Sequence, residues 1–183
     1  MGTSADQLST MKASQVPEPQ DIAMWFEAYQ FLCLEAQLLD DDRPAEWLEL
    51  LTPDIDYEVP IRMTKRRGED PIAAGGWHMK EDFGTLKSRV ARLQTKTAWG
   101  EDPPSRTRRL IGNLRCILKN HSHIDVKSNL LLYYGRGEEA THTVIAAERH
   151  DVLKRTEHGL RLAHRIVVLS HTTLPLQSIG VFL

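Results

Sequence analysis

Apolar residues recur every three or four positions near the start of the chain: Ile22, Trp25, Phe26, Tyr29, Leu32, Cys33, Ala36 and Leu39. That spacing predicts one face of a long helix, and the face is expected to meet the core. Asp21 stands where an N-cap would, and Pro19 bars extension backwards. The run Asp40-Asp41-Asp42 opposes the negative end of the helix dipole and closes the helix. Pro44 opens a short second helix over 44–51, and Thr52-Pro53-Asp54 then turns the chain. Over 55–63 the period changes to two, with Ile55, Tyr57, Val59 and Ile61 alternating with Asp56, Glu58, Pro60 and Arg62. That is a strand, which Pro60 either demotes to an edge or ends. Residues 65–76, charged at first and then Ala73-Ala74-Gly75-Gly76, read as a long loop of the kind that is usually functional or interfacial. A third helix is predicted over 80–96, with Phe83, Leu86, Val90 and Leu93 at helical spacing.

Beyond residue 105 the pattern is that of strands, expected at 110–119, 123–134, 141–155 and 160–171. Short turns join them, at Gly135-Arg136-Gly137-Glu138 and at His158-Gly159 among others, so an antiparallel meander follows. In the first of these strands Leu110, Gly112, Leu114, Cys116 and Leu118 form the apolar face, which puts Arg109 and Arg115 on the opposite one. Pro175 ends the last strand, and the apolar tail 177–183 is expected to pack back onto the sheet. Helices first and a long curved sheet second is the order of an α+β fold with its helices on one face. It is similar to the cone-shaped nuclear transport factor 2-like (SnoaL-like) fold. A polar arm over 1–20 precedes a single domain over 21–183.

Composition narrows the class. The chain has 183 residues, 41% hydrophobic and 26% charged, with a formal net charge of −2. That balance argues against non-specific binding to nucleic acid or to an anionic membrane. No apolar run reaches the roughly 20 residues that span a bilayer, and the N-terminus lacks a secretory pattern. Two cysteines, Cys33 and Cys116, make no disulfide framework and fit a reducing compartment, so a cytoplasmic location is expected.

The segment 99–115, W-G-E-D-P-P-S-R-T-R-R-L-I-G-N-L-R, concentrates the unusual chemistry. Pro103 and Pro104 exclude a helix interior and force an extended crossing from helix to strand. Arg106, Arg108, Arg109 and Arg115 are costly to bury unpaired, so they must meet water, carboxylates within the chain, or a partner. A solvated strand edge satisfies this, and so does an interface strand. On the interface reading, Trp99 and these four arginines meet another subunit, joined by Lys65, Arg66 and Arg67 of the charged loop.

Other candidate chemistry is sparse. His123 and Asp125 share a strand face and, with His164 or His171, would imitate a two-His-one-carboxylate iron site. The alternative is a polar strand face at a turn. Tyr57, His142 and His164 are placed on strands where an acid–base pocket inside a cone would need them, or else are core and rim residues. No nucleophile elbow, dinucleotide fingerprint, P-loop or zincin motif is present. A Rieske cluster needs two Cys and two His in closely spaced pairs, and neither Cys33 nor Cys116 lies in such a unit.

Six segments in order carry a resemblance: E-A-Q-L-L-D at 35–40, Y-E-V-P-I-R at 57–62, W-G-E-D-P-P-S-R-T-R-R at 99–109, S-N-L-L-L-Y at 128–133, E-R-H-D-V-L-K-R at 148–155 and L-A-H-R-I-V-V-L at 162–169. Together they resemble the beta (small) subunit of aromatic-ring-hydroxylating dioxygenases. Departures are confined to the C-terminal end, at Ser170 and at Ser178-Ile179-Gly180. The resemblance implies a structural role beside an alpha subunit, in a three-alpha, three-beta hexamer with beta–beta contacts. The alpha subunit would carry the Rieske 2Fe–2S cluster and the mononuclear non-haem iron. It would receive electrons from a ferredoxin and reductase and add dioxygen to an aromatic hydrocarbon to give a cis-dihydrodiol. This chain would hold no cofactor and no catalytic residue. Two other classes remain open: a stand-alone cone-fold isomerase or dehydratase, which would turn over alone, and a binding module, whose ligand would survive purification.

Overall fold

A computed structural model describes residues 18–93, 105–135, 142–173 and 181–183. Helix α1 (Pro19–Asp40) is followed by the short α2 (Pro44–Leu48), the strands β1 (Leu51–Arg62) and β2 (Ile72–Asp82), and helix α3 (Phe83–Leu93). Four long strands complete the order: β3 (Arg106–Asn120), β4 (His123–Gly135), β5 (His142–Thr156) and β6 (Gly159–Leu169). They form one six-stranded sheet in the order β2-β1-β6-β5-β4-β3. β3 to β6 make the antiparallel meander the pattern predicts, whereas β1 joins β6 in parallel and pairs β2 antiparallel. The α+β class with helices on the concave face of a curved sheet holds.

Several boundaries move, each for a local reason. α1 starts at Pro19 with Glu18 as its N-cap, so Asp21 sits inside the first turn, where its charge favours the positive end of the dipole. The apolar stripe of α1 splits in two. Ala28, Phe31, Leu32, Ala36 and Leu38 are buried, but Ile22, Trp25 and Phe26 stay exposed. Those first turns lie over β3, where Trp25 Nε1 donates to the Leu114 carbonyl. The segment 73–76 is strand rather than loop: β2 pairs along β1 from Asp56↔Asp82 to Arg62↔Ile72. Pairing overrides the poor strand propensity of Ala-Ala-Gly-Gly, and Gly75, at φ 73°, takes a conformation that few other residues adopt. Pro60 does not make β1 an edge, because β1 lies between β2 and β6 and the proline sits at a register shift. α3 begins at Phe83; Lys80–Asp82 belong to β2, and Asp82 exchanges hydrogen bonds with Thr85 as its N-terminal cap. Residues 94–96 of that predicted helix lie outside the described residues, as do the Pro-Pro crossing, 136–138 of the predicted turn, and 177–180 of the tail.

The correction with most consequence falls in β3. Asn113, at φ 52°, marks a shift of register between Gly112 and Arg115, which is a β-bulge. A bulge exchanges the two faces of a strand. Before it Thr107 and Arg109 point inward; after it Cys116 does. Leu110, assigned to the apolar face, is therefore exposed and Arg109 buried, while Leu118, on the same face as Cys116, is exposed near the end of the strand.

Candidate functional site

The inward faces of β1, β6 and β5 set Tyr57, Arg165 and Asp151 side by side, since Tyr57↔Arg165 and Asp151↔Arg165 are register partners. Glu35 descends on this row from the buried face of α1, and Arg149 stands two residues before Asp151 on the same face of β5. All five are at most 2% exposed. Arg165 spans the group. Its Nη1 and Nη2 donate to the two oxygens of Glu35 at 2.7 and 2.8 Å, and its Nε and Nη2 to the two oxygens of Asp151 at 2.8 Å each. Nη1 also donates to the Leu183 carbonyl at 3.2 Å, so all five N–H bonds of the guanidinium have an acceptor. Trp47 Nε1 and Arg149 Nη1 donate to Glu35 as well, at 3.1 and 3.3 Å.

Two carboxylates and two guanidiniums thus neutralise one another in a site without water access. Burial alone would push the Glu35 carboxyl up, but the positive charges of Arg165 and Arg149 outweigh it and hold it at about 2. Burial pulls the Arg165 guanidinium down; Asp151 and Glu35 more than reverse this and raise it well above its ordinary value. Arg149 has the weaker position: burial and the repulsion of Arg165 lower it, and its Nη2 finds no acceptor among the described residues.

The tail closes the interior. Phe182 stacks on Trp47 with ring centroids 4.3 Å apart, and Leu183 is held by the Tyr57 hydroxyl, which donates to its carbonyl and accepts from its N–H. Burial pushes the Tyr57 phenol up, so it stays a neutral hydrogen-bonding group. Arg109 Nη2 donates to the Phe182 carbonyl at 2.7 Å, while Nη1 pairs with Asp40. The Asp40 carboxylate also accepts from the Arg109 backbone N–H and the Thr107 hydroxyl.

The residues proposed for acid–base work are not brought together. Tyr57 is inside and engaged with the tail; His142 is on the outer face, tilted against the Tyr133 ring; His164 lies outside, 3.9 Å from Asp56. The suggested iron ligands are dispersed too. His123 contacts Asn120 and Ser122, Asp125 lies 3.7 Å from Lys119, and no three His, Cys, Asp or Glu among the described residues form a set able to hold a metal ion. Nor do the two cysteines fit an iron–sulfur cluster: Cys33 is on α1 and Cys116 is buried in β3, its thiol pushed up to about 12 by burial.

The interface candidates divide. Lys65, Arg66 and Arg67 are exposed in the connection between β1 and β2, and Arg106, Arg108 and Arg115 are exposed on β3. Arg109 is not a surface residue, because the bulge turns it into the chain and Asp40 neutralises it there. Trp99 lies outside the described residues.

Sequence reading missed Glu35, Arg149, Asp151 and Arg165 as a unit. The signal was their phase. Arg149 and Asp151 occupy positions that periodicity assigns to the core, between Ala147 and Leu153, whereas Glu35 lies beside the helix stripe and Arg165 follows a change of phase after Leu162.

A curved sheet wrapped on helices, with a cone interior, is the architecture shared with solved structures. One is an assigned scytalone dehydratase from Novosphingobium aromaticivorans, 11% identical, covering 86% of this chain and 91% of that chain with a TM-score of 0.64. Far closer is a chain of naphthalene 1,2-dioxygenase with indole bound in its active site, 26% identical, covering 100% of this chain and 95% of the other with a TM-score of 0.84. The model of the ring hydroxylating beta subunit family matches residues 34–176, and this chain belongs to that family. Among its relatives is the beta subunit of biphenyl 2,3-dioxygenase from Rhodococcus jostii (strain RHA1), 32% identical over 91% of this chain and 92% of the relative. Another is the beta subunit of N,N-dimethyl phenylurea N-demethylase from Sphingobium sp. (strain YBL2), 32% identical over 95% and 99%.

Proposed function

We propose that this chain is the non-catalytic supporting subunit of a multicomponent, cytoplasmic aromatic-ring-hydroxylating dioxygenase. The observation that carries this reading is the cone interior, which packed side chains fill among the described residues. Where a cone-fold enzyme needs a pocket, this chain has Trp47, Phe182, Leu183 and a neutralised set of four charges, all buried. In the proposed complex the alpha subunit holds the Rieske 2Fe–2S cluster and the mononuclear iron. It takes electrons from a ferredoxin and reductase and adds dioxygen to an aromatic hydrocarbon to give a cis-dihydrodiol. Three alpha and three beta subunits form the particle. This chain is equally similar to relatives named for a ring dioxygenation and for an N-demethylation. That similarity supports placing the choice of reaction on the other subunit. Trp99, Arg106, Arg108, Arg115, Lys65, Arg66 and Arg67 are the proposed subunit contacts; Arg109 is withdrawn from that set.

The isolated chain is expected to carry no stoichiometric iron and to consume no oxygen with aromatic substrates. Co-expressed with its alpha subunit, it is expected to co-purify with an iron–sulfur protein whose activity depends on it. Metal analysis and oxygen uptake check this; iron bound one to one by the isolated chain, or turnover without a partner, overturns it.

A further inference from the structure

Two of the side chains that fill the cone come from a segment with no regular structure. Phe182 and Leu183 are buried, yet among the described residues no backbone hydrogen bond holds Val181–Leu183. Side chains hold it instead. Arg109 Nη2 donates to the Phe182 carbonyl and Arg165 Nη1 to the Leu183 carbonyl. The Tyr57 hydroxyl donates to that same Leu183 carbonyl and accepts from the Leu183 N–H. Trp47 supplies the face on which the Phe182 ring stacks. An indole face and a few convergent polar side chains are what a small-molecule site offers its ligand. The tail is held as a ligand is held.

The groups that receive it do not depend on it for their positions. Without the tail, Arg165 keeps its hydrogen bonds to Glu35 and Asp151, and Arg109 keeps Asp40. Trp47 stays fixed through its Nε1 bond to Glu35. What the departing tail leaves behind is a surplus of donors. The Tyr57 hydroxyl and Arg109 Nη2 lose their acceptors, while Arg149 Nη2 and Arg109 Nε have none among the described residues even with the tail in place. Glu35, Asp151 and Asp40, the acidic groups nearby, are each already paired with an arginine. Buried donors in surplus call for an acceptor-rich group, and guanidiniums favour a carboxylate. Phe182 itself sets the length of the ligand. Its Cβ and Cα link the ring on Trp47 to the carbonyl that Arg109 holds, which is the skeleton of a 3-arylpropanoate. Among the described residues a cavity of about 100 Å³ already reaches Arg109, Thr107 and Phe182.

We propose that the cone holds a binding site for a 3-arylpropanoate, in which Phe182 and Leu183 sit as a displaceable plug. The aryl ring takes the slot against Trp47 and the carboxylate receives the Arg109 donor, with Tyr57 and Arg165 lining the space that Leu183 leaves. No bond in the ligand forms or breaks. The site goes beyond the supporting role and does not rest on it.

The test uses the full chain, with 3-phenylpropanoate as the probe and far-UV circular dichroism to confirm folding. In the wild type the tail competes with the probe. An open form populated at about 1% lowers the apparent affinity about 100-fold. Phe182→Gly/Leu183→Gly vacates the site, and titration calorimetry is expected to show the probe bound about 100-fold tighter than by the wild type. The neutral 3-phenylpropanol is expected to bind this variant at least ~10-fold more weakly than the acid, because it brings no charge to the guanidinium. A second measurement needs no variant. Hydrogen exchange of the wild-type Leu183 N–H, followed by NMR, is expected to speed up as probe is added and to level off as the site fills. A folded double variant that binds no tighter than the wild type, equal affinity for acid and alcohol, or exchange that the probe leaves unchanged each overturns the proposal. None of these readings involves a second subunit, so the supporting role stands or falls separately.

Discussion

Arg165→Met is expected to be the most damaging single substitution in the chain, with a pH dependence opposite to that of the wild type. It removes the cation that holds the carboxylates of Glu35 and Asp151 together where neither meets water. Breaking a buried ion pair from one side costs about 3–5 kcal/mol, and here one residue serves two carboxylates. A domain stable by about 5–15 kcal/mol retains little after such a loss. The sign with pH follows from the protonation states. In the wild type Glu35 is held at about 2, below its usual value, so its contribution is present above the unfolded carboxyl range and is lost as pH falls through about 2. In the variant the buried Glu35 carboxyl loses the larger of the two positive charges that oppose its burial, and it takes up a proton more readily than in the unfolded chain. Stability is then greatest at low pH and is lost as pH rises. Thermal melting from pH 4 to pH 8 should show the variant falling as pH rises while the wild type does not. A variant that parallels the wild type across that range would contradict the network.

The same charges explain what the sequence could and could not reveal. Period and turn residues were enough to place the long helix, the meander and the order of elements, because each strand buries a regular apolar phase. Phase was lost at bulges, where no local residue announces the shift. Asn113 reversed the two faces of β3, so that Leu110 moved from core to surface and Arg109 from surface to core. β2 was hidden for another reason: Ala73-Ala74-Gly75-Gly76 has no strand preference of its own and is extended by pairing with β1. The six family segments, read as separate strand and helix pieces, supply most of the interior. Glu35 and Asp40 come from the first, Tyr57 from the second, Arg109 from the third, Arg149 and Asp151 from the fifth, and Arg165 from the sixth. What the segments hold in common is a set of partners inside the cone, and only the fold brings those partners within reach.

That interior also bears on how a pocket fold becomes a support. A cavity lined by carboxylates and guanidiniums attracts water and polar ligands unless each charge is matched. Here the matching is nearly complete, and the tail supplies the missing acceptors through the carbonyls of Phe182 and Leu183. The result is an interior whose charges are matched within the chain, and the proposed subunit contacts lie outside it.

Arg109→Ala is expected to separate this inner role from the outer one. The side chain joins Asp40, at the end of α1, to the Phe182 carbonyl and so ties the helix, the start of β3 and the tail together. Burial lowers the Arg109 guanidinium, and Asp40 is the charge that opposes this most. Truncation leaves Asp40 with the Thr107 hydroxyl and a backbone N–H, and leaves the Phe182 carbonyl without its donor. The loss is expected to be about 2–4 kcal/mol, at the lower end for a broken buried pair because Asp40 keeps two neutral donors. At about 2–4 °C per kcal/mol for a domain of this size, melting falls by roughly 5–15 °C. Arg108→Ala, one residue away on the exposed face, is expected to leave melting nearly unchanged and to weaken association between subunits. Thermal melting and mass photometry on the two variants decide the matter together. If Arg109→Ala melts like the wild type and fails to assemble, Arg109 faces a partner and its place inside the cone is wrong.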